Sequence, residues 1–409
     1  MHEKSIRWTR GLNYSQMMRR GMKKICVVTA TRAEYGLLRN IIKEIYADED
    51  LQLCLLVTGT HLSERYGYTV NEIVEDNIPI EAKIPIIEEI DGEKVDIIGT
   101  MGNALLKFSK TFEKINPDIL VVLGDRYELL SICEAAMICK IPIAHISGGE
   151  ITEGAMDDTI RHCITKMSQL HFPGCEVYRQ RIIQMGEQPD TVFNYGDVGI
   201  ENIMNMQYMD LGELEDSMGI SLERPYACVT FHPATLEKDS PVKQVEQLLL
   251  AVEQFPDLDF IFTGANADDG GMQINRTIKQ FVSGHSNCFY YTSLGIKRYL
   301  SLLRKSRMII GNSSSGIVEA PSLGIPTVNI GSRQKGRLQA GSIINCEINV
   351  GGIVDAINKA NTQAFQQEAK KAENPYEKGN TSINIIHEIK RFLDNGGTVV
   401  KKFYDLTEK

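Results

Sequence analysis

The sequence predicts an α/β protein of two Rossmann-like, doubly wound domains facing one another across a cleft, and three observations predict it. At 409 residues the chain exceeds one ordinary hydrophobic core, so two domains of roughly 200 residues are the default. From Lys23 onward, short β-branched runs alternate with helical patterns, as in a parallel sheet covered by helices. The alternation thins between Met204 and Arg224, a stretch rich in Met, Asp, Glu and Gly, and then resumes.

Taken in order, residues 1–21 carry Arg7, Arg10, Arg19 and Arg20 but no apolar run of the kind a signal peptide needs. They read as a leader, an upstream start or an expression remnant, and are expected to be disordered. The first domain, 22–205, has expected strands at 24–30, 51–58, 118–124, 141–146 and 169–173. Helices at 36–47, 96–115, 127–140, 156–167 and 176–187 fit between them. The second domain, 206–378, runs from Ala227-Cys-Val-Thr-Phe231 through a helix at 242–254, a strand at 258–263 and a helix at 274–283. A strand at 289–291, a helix at 297–305, a strand at 308–310, a helix beginning near Ile317 and a strand at 326–330 follow. A helical segment at 351–361 precedes a terminal helix near 381–395, within a closing segment 379–409.

Composition narrows the partners. With 53 acidic against 44 basic residues the formal charge is −9, which argues against nucleic acid or an anionic membrane as the main partner. No apolar run approaches the ~18 residues that span a bilayer. The nine cysteines are scattered without a C-x-x-C pair, as in a cytoplasmic protein with reduced, buried thiols, and point to neither a zinc site nor a disulfide framework. An anionic ligand would therefore be held by local groups.

In doubly wound folds ligands sit beyond the carboxyl ends of the strands, and those positions are unusually polar here. The first strand ends in Thr29-Ala-Thr-Arg32-Ala-Glu-Tyr-Gly36, where Arg32 could meet a phosphate. The second ends in Thr58-Gly-Thr-His61; a cap or surface histidine is the alternative to a functional one. After the 118–124 strand, Asp125 is either the cap of the next helix or an acid–base group. Next comes Ser147-Gly148-Gly149-Glu150, and then Asp157 and Arg161, four apart and expected on one helix face. The double glycine would let backbone approach a ligand closely.

The second domain repeats the pattern. Its strand ends carry Phe231-His232-Pro233, Thr263-Gly264-Ala265-Asn266, Gly311-Asn-Ser313-Ser314-Ser315-Gly316 and Gly331-Ser-Arg333-Gln-Lys-Gly-Arg337. Unpaired N–H groups at a serine-rich helix start can hold a phosphate, although a simple serine cap would also explain one of them. Histidine, hydroxyls and an arginine cluster together suit a diphosphate better than a carboxylate. Glu319 lies a turn further on, within reach of a ribose.

These runs, with Val27-Val-Thr-Ala-Thr-Arg-Ala-Glu-Tyr-Gly36, Gly124-Asp-Arg-Tyr-Glu128 and Arg161-His-Cys-Ile-Thr-Lys-Met-Ser168, resemble the hydrolysing UDP-N-acetylglucosamine 2-epimerases. The match is nearest to the bacterial sialic acid and legionaminic acid branch, and covers Met22 to the final helix. It implies a GT-B-like fold whose last helix packs back on the first domain, and a reaction without metal or cofactor. In that reaction UDP-N-acetylglucosamine and water give N-acetylmannosamine and UDP, through elimination to a 2-acetamidoglucal and its hydration. UDP-N,N′-diacetylbacillosamine is the alternative substrate. The resemblance also implies a homo-oligomer, dimer or tetramer.

By the same resemblance Asp125, Glu150 and Asp157 are the acid–base candidates, with Arg161 and His61 in support. The UDP set is Arg32, His232, Asn266, Leu294, Tyr299, Ser313, Ser314, Ser315, Gly316, Glu319 and Arg333, with Glu319 on the ribose and Tyr299 near the uracil. Two departures stand out. Animal relatives carry a carboxylate where this chain has Ser147, and non-hydrolysing relatives carry a lysine where it has Gly36-Leu37-Leu38. A glycosyltransferase, a non-hydrolysing epimerase or a non-catalytic nucleotide-sugar sensor would share the fold and the nucleotide seat.

Overall fold

The computed structural model describes residues 21–90, 94–152, 156–233, 240–265 and 271–406. They form two units. The chain up to Gly149, residues 156–195 and everything from Asn380 make the first; Gly196–Gly379, with Glu150 and the residues just after it, make the second.

In the first unit β1 (Lys23–Thr29), β2 (Leu51–Thr58) and β3 (Ala82–Ile84) precede a short antiparallel pair, β4 (Glu89–Ile90) and β5 (Lys94–Val95). With β6 (Ile119–Leu123), β7 (Ile143–Ile146) and β8 (Leu170–Phe172), the first three build a parallel six-stranded sheet ordered β3-β2-β1-β6-β7-β8. The helices are α1 (Arg32–Ala47), α2 (Val70–Glu75), α3 (Ile97–Ile115), α4 (Tyr127–Ile138), α5 (Met156–Met167) and α6 (Glu176–Gln184). Every residue of β6 and β7 is buried, because helices cover the sheet, so these strands read as near-continuous apolar runs. Cys26, Val28, Leu120 and Val122 pack with Phe108 and Phe112 of α3 and Ile132 of α4.

The second unit begins with α7 (Val198–Asn205) and α8 (Leu211–Met218). Its strands are β9 (Tyr226–Thr230), β10 (Asp259–Thr263), β11 (Cys288–Tyr291), β12 (Met308–Gly311), β13 (Thr327–Ile330) and β14 (Ile343–Cys346). They form a parallel sheet ordered β11-β10-β9-β12-β13-β14. Helices α9 (Pro241–Val252), α10 (Gly271–Val282), α11 (Gly295–Lys305), α12 (Ser315–Val318), α13 (Val350–Asn361) and α14 (Gln363–Ala369) complete it. Chain order reverses between β1 and β6 in one sheet and between β9 and β12 in the other. Neighbouring loops splay apart at such a reversal, and ligands enter there. The last helix, α15 (Thr381–Asp394), belongs to the first unit and packs on α1.

The two doubly wound α/β units expected are thus the ones observed, with local corrections. Helix α1 starts at Arg32 rather than 36, because the Thr31 hydroxyl accepts the Glu34 N–H at 3.3 Å and caps it. The thin stretch holds the end of α7, which Asp197 caps by accepting from the Gly199 N–H at 2.7 Å, and the short α8, on which Asp210 and Glu213 form a capping box. The chain passes from the first unit to the second after Tyr195, where the sequence reading placed the boundary at 205. Strands β3 and β14 leave little signal in the sequence because these edge strands are short and only half-buried. The expected helix from Ile317 begins at Ser315 and lasts one turn. Pro321 lacks the N–H to extend it, and the chain continues as a 3₁₀ turn, Ala320–Leu323. Among the cysteines Cys163 is exposed rather than buried. Residues 1–20 lie outside the described residues.

Candidate active site

The first unit gathers its polar groups around β1 and the strands beside it. Gly59, just after β2, has φ 57° and lies so close to β1 that a Cβ there would sit 2.7 Å from the Ala30 carbonyl oxygen. That approach brings His61 between two threonines: Nε2 is 3.1 Å from Thr29 Oγ1 and Nδ1 is 2.8 Å from Thr69 Oγ1. His61 is fully buried, and burial pushes its pKa down to about 4, so it is a neutral imidazole at pH 7. The surface-histidine alternative falls on that burial.

Asp125, after β6, is not the cap of α4; Arg126 occupies that position. Asp125 instead accepts a hydrogen bond from Nη2 of Arg161, which is buried on α5. Nη1 of Arg161 lies 3.6 Å from Asp158. Asp125 and Asp158 thus share the buried guanidinium, and the hydrogen bond from Nη2 orients Asp125. Asp157 is exposed at the start of α5, a turn before Arg161.

Two residues of this frame escaped the sequence reading. His145, in β7, is fully buried, with Nε2 2.8 Å from the Gly124 carbonyl oxygen and Nδ1 3.2 Å from Thr165 Oγ1 on α5. Burial drives it down to about 3, so it bridges the Asp125 turn and the Arg161 helix as a neutral group. Glu34, on α1, is 5% exposed and accepts the Ala30 N–H at 2.6 Å. In sequence each hides inside a run that already has a structural explanation, a strand and a helix start.

The double glycine packs closely against its own chain. A Cβ on Gly148 would lie 3.0 Å from His145 Nδ1, and one on Gly149 would lie 2.6 Å from the Tyr178 carbonyl oxygen. Ser147 has φ 61°, a left-handed conformation costing a serine about 1 kcal/mol. Arg32 is half-exposed and pairs with Glu72 at 2.7 Å.

Glu150 groups with the second unit, where Arg337 Nη2 lies 3.3 Å from its carboxylate. There Asn312, unnoticed in the sequence, ties three strand ends together. Its Oδ1 accepts the His232 N–H at 2.7 Å and its Nδ2 donates to the His232 carbonyl at 2.9 Å. Its own carbonyl accepts from Arg333 Nη1 at 3.1 Å and from Gln334 Nε2 at 2.8 Å. His232, the serine loop and Arg333 are therefore neighbours.

Tyr299 donates to Ser315 Oγ at 2.8 Å, and Ser315 donates onward to Glu319. Burial, opposed by that Ser315 bond, raises the Glu319 carboxyl above the usual range. Ser315 is thus a relay between Tyr299 and Glu319, while Ser313 is half-buried and Ser314 exposed. Gly316 packs on Thr327, whose hydroxyl donates to the Gly316 carbonyl at 2.7 Å. Leu294 is buried at the start of α11. Because α12 is a single turn, anion binding here would rest on loop N–H groups and Arg333, with little from a helix dipole. Asn266 lies outside the described residues. Among those described, no group of three or more His, Cys, Asp or Glu is placed to hold a metal ion, and no helix is long and apolar enough to cross a membrane.

Comparison with known proteins adds the following. The family profile described as UDP-N-acetylglucosamine 2-epimerase matches residues 43–390. The GDP/UDP-N,N′-diacetylbacillosamine 2-epimerase (hydrolyzing) of Campylobacter jejuni is 42% identical, covering 84% of this chain and 89% of the relative. The polysialic acid biosynthesis protein P7 of Escherichia coli is 40% identical, covering 95% and 98%. In shape, the chain is similar to the UDP-GlcNAc 2-epimerase from Neisseria meningitidis bound to UDP-GlcNAc. The TM-score is 0.72 at 18% identity, over 90% of this chain and all of that one, a likeness of fold.

Proposed function

The chain belongs to the UDP-N-acetylglucosamine 2-epimerase family, and on that premise we propose that it is a hydrolysing 2-epimerase whose substrate is UDP-N,N′-diacetylbacillosamine. The products are UDP and the free 2-epimeric sugar, 2,4-diacetamido-2,4,6-trideoxymannose. The observation that carries the reading is Asp125, held by the buried Arg161 beside the chain reversal of the first sheet. The substrate itself comes from the 42% likeness to the hydrolysing bacillosamine enzyme.

The C2 proton of such a sugar is not acidic. The C1–O bond to UDP therefore loosens early, and the ring gains oxocarbenium character while a carboxylate removes the proton. Elimination gives UDP and a 2-acetamidoglycal. Water then adds its oxygen to C1, and C2 takes a proton from the opposite face. Asp125 and Asp157 are the proposed acid–base pair, with neutral His61 as a hydrogen-bonding support. Glu150, at hydrogen-bonding range of Arg337, is assigned to the leaving-group side rather than to the base. His232, Ser313, Ser314 and Arg333 are assigned to the diphosphate, and Glu319, presented by Ser315, to the ribose.

The 40% likeness to the polysialic acid protein favours a second reading, hydrolysis of UDP-N-acetylglucosamine to N-acetylmannosamine. Incubation with each UDP-sugar in D₂O, followed by NMR, decides between them. The expected result is free UDP and a 2-epimeric sugar carrying deuterium at C2, formed faster from the diacetyl substrate. Return of an intact epimerised UDP-sugar, or UDP release only with an added acceptor, would overturn the hydrolytic reading.

A further inference from the structure

The turn after β6 is held from both sides. Asp125 reaches toward α5 and Arg161, as described. Arg126 donates from Nε to Glu128 Oε1 at 2.6 Å, and that pair lies near Glu34 on α1. Because β6 sits between β1 and β7, the turn is bracketed by groups from both neighbouring crossovers.

Glu34 is an odd member of this set. Its Oε2 accepts the Ala30 N–H, an ordinary task for a glutamate in the first turn of a helix, but such a glutamate is usually wet and ionised. Here the side chain is buried, and among the described residues neither Glu34 Oε1 nor Glu128 Oε2 has a hydrogen-bond partner. Two buried carboxylates beside a single guanidinium cannot both be stable as anions. Glu128 has the direct ion pair with Arg126, whereas burial raises Glu34, whose Oε2 is already an acceptor, so Oε1 is the oxygen left to carry a proton.

We propose that Glu34 is a positioning residue: as a neutral carboxylic acid it leaves Arg126 to Glu128 alone and so fixes the turn that carries Asp125. The inference rests on the assignment of Asp125 to proton transfer. Ionised Glu34 would compete for Arg126 and pull the turn toward α1. Burial, with Glu128 adding to it, pushes Glu34 up to about 8 against the Ala30 N–H and Arg126, so competition begins in mildly alkaline solution. Among the described residues, neighbouring charged or titratable groups include Tyr127, raised by burial and further by Glu128 and Tyr66, and His61, neutral throughout that range; Arg32 is engaged with Glu72.

The test compares wild type, Glu34→Gln and Glu34→Asp by kcat for UDP release and by thermal midpoint, both from pH 5 to pH 10. Glutamine keeps an acceptor for Ala30 and cannot ionise. It should stay within about threefold of wild type at pH 7 and lose the fall in kcat above about pH 8. Aspartate is too short to reach Ala30 and should lower kcat at least about tenfold at every pH. A Glu34 pKa raised in the folded state makes wild type lose stability from the unfolded value, about 4.5, up to about 8. The midpoint of Glu34→Gln should therefore gain on wild type across that window and run parallel above it.

An unchanged alkaline limb with parallel midpoints overturns the proposal. So does a loss of more than about 100-fold in Glu34→Gln with UDP binding and fold intact, since the acid would then act on substrate itself. Failure of the Asp125 assignment shows up separately, as turnover by Asp125→Asn with the midpoint difference at Glu34 still present.

Discussion

At the scale of single residues, Asp125 and Ser313 separate chemistry from binding. Asparagine at 125 keeps the size of the side chain and a hydrogen-bond acceptor for Arg161 but cannot take a proton. Turnover should fall by about 10²–10⁴-fold while UDP affinity changes little. Alanine at 313 removes one hydroxyl from the serine loop and should weaken UDP binding about tenfold, with kcat nearly kept. Paired titration calorimetry and kinetics check this; equal loss of UDP affinity in both variants would contradict the division. Asp125 was readable as a candidate in sequence, because an acid at a strand end is conspicuous. The partner that orients it, Arg161, lies 36 positions away; spacing alone pairs it with Asp157, its neighbour on the helix, and only the family resemblance links it to Asp125 as well. His145 was invisible for the opposite reason: inside Ile143–Ile146 it sits where any residue of a buried strand would.

At the scale of elements, the ends of β2 and β12 are set by how near the neighbouring backbone comes. Gly311 closes β12 at φ 135°, and a Cβ there would fall 1.9 Å from the Thr230 carbonyl oxygen on β9. Gly311→Ala should therefore force these two central strands apart and cost about 3 kcal/mol or more, read as a lower denaturation midpoint with an unchanged m-value. Retention of wild-type stability would mean that the strand pairing tolerates what the packing forbids. The same displacement would carry Asn312 away from His232 and Arg333, so UDP binding should fall with stability. The serine loop shows the limit of reading elements locally. Its composition announced a helix start, yet Pro321 stops the helix after one turn and Ser315 is engaged by Tyr299 and Glu319.

At the scale of the whole molecule, the chain leaves the first unit at Tyr195 and returns to it at Asn380. The returning helix buries Ile385, Ile386 and Ile389, and Lys390 reaches Asp48 and Asp50 at 2.9 and 2.8 Å. Beyond it, Lys401 joins Lys166 and His171 on the buried carboxylate of Glu187. These bonds outweigh burial and hold that carboxylate down to about 2. Ending the chain after Gly379 should therefore destabilise the first unit by at least about 5 kcal/mol, from lost apolar burial and an under-paired buried anion. Hydrogen exchange along Arg32–Ala47 should accelerate strongly; unchanged protection there would refute the account. What the sequence determined by itself was the class of fold, the polar strand ends and the family. Parallel buried strands, capped helices and family motifs are local patterns that survive without coordinates. What only the tertiary structure decided was partnership: Asp125 with Arg161, Asn312 across three loops, Glu150 with the second unit, Glu34 beside Arg126 and Glu128. Those pairs join positions far apart in the chain, and which atoms meet depends on strand order and on glycines that let backbones touch, neither of which is encoded within any one segment.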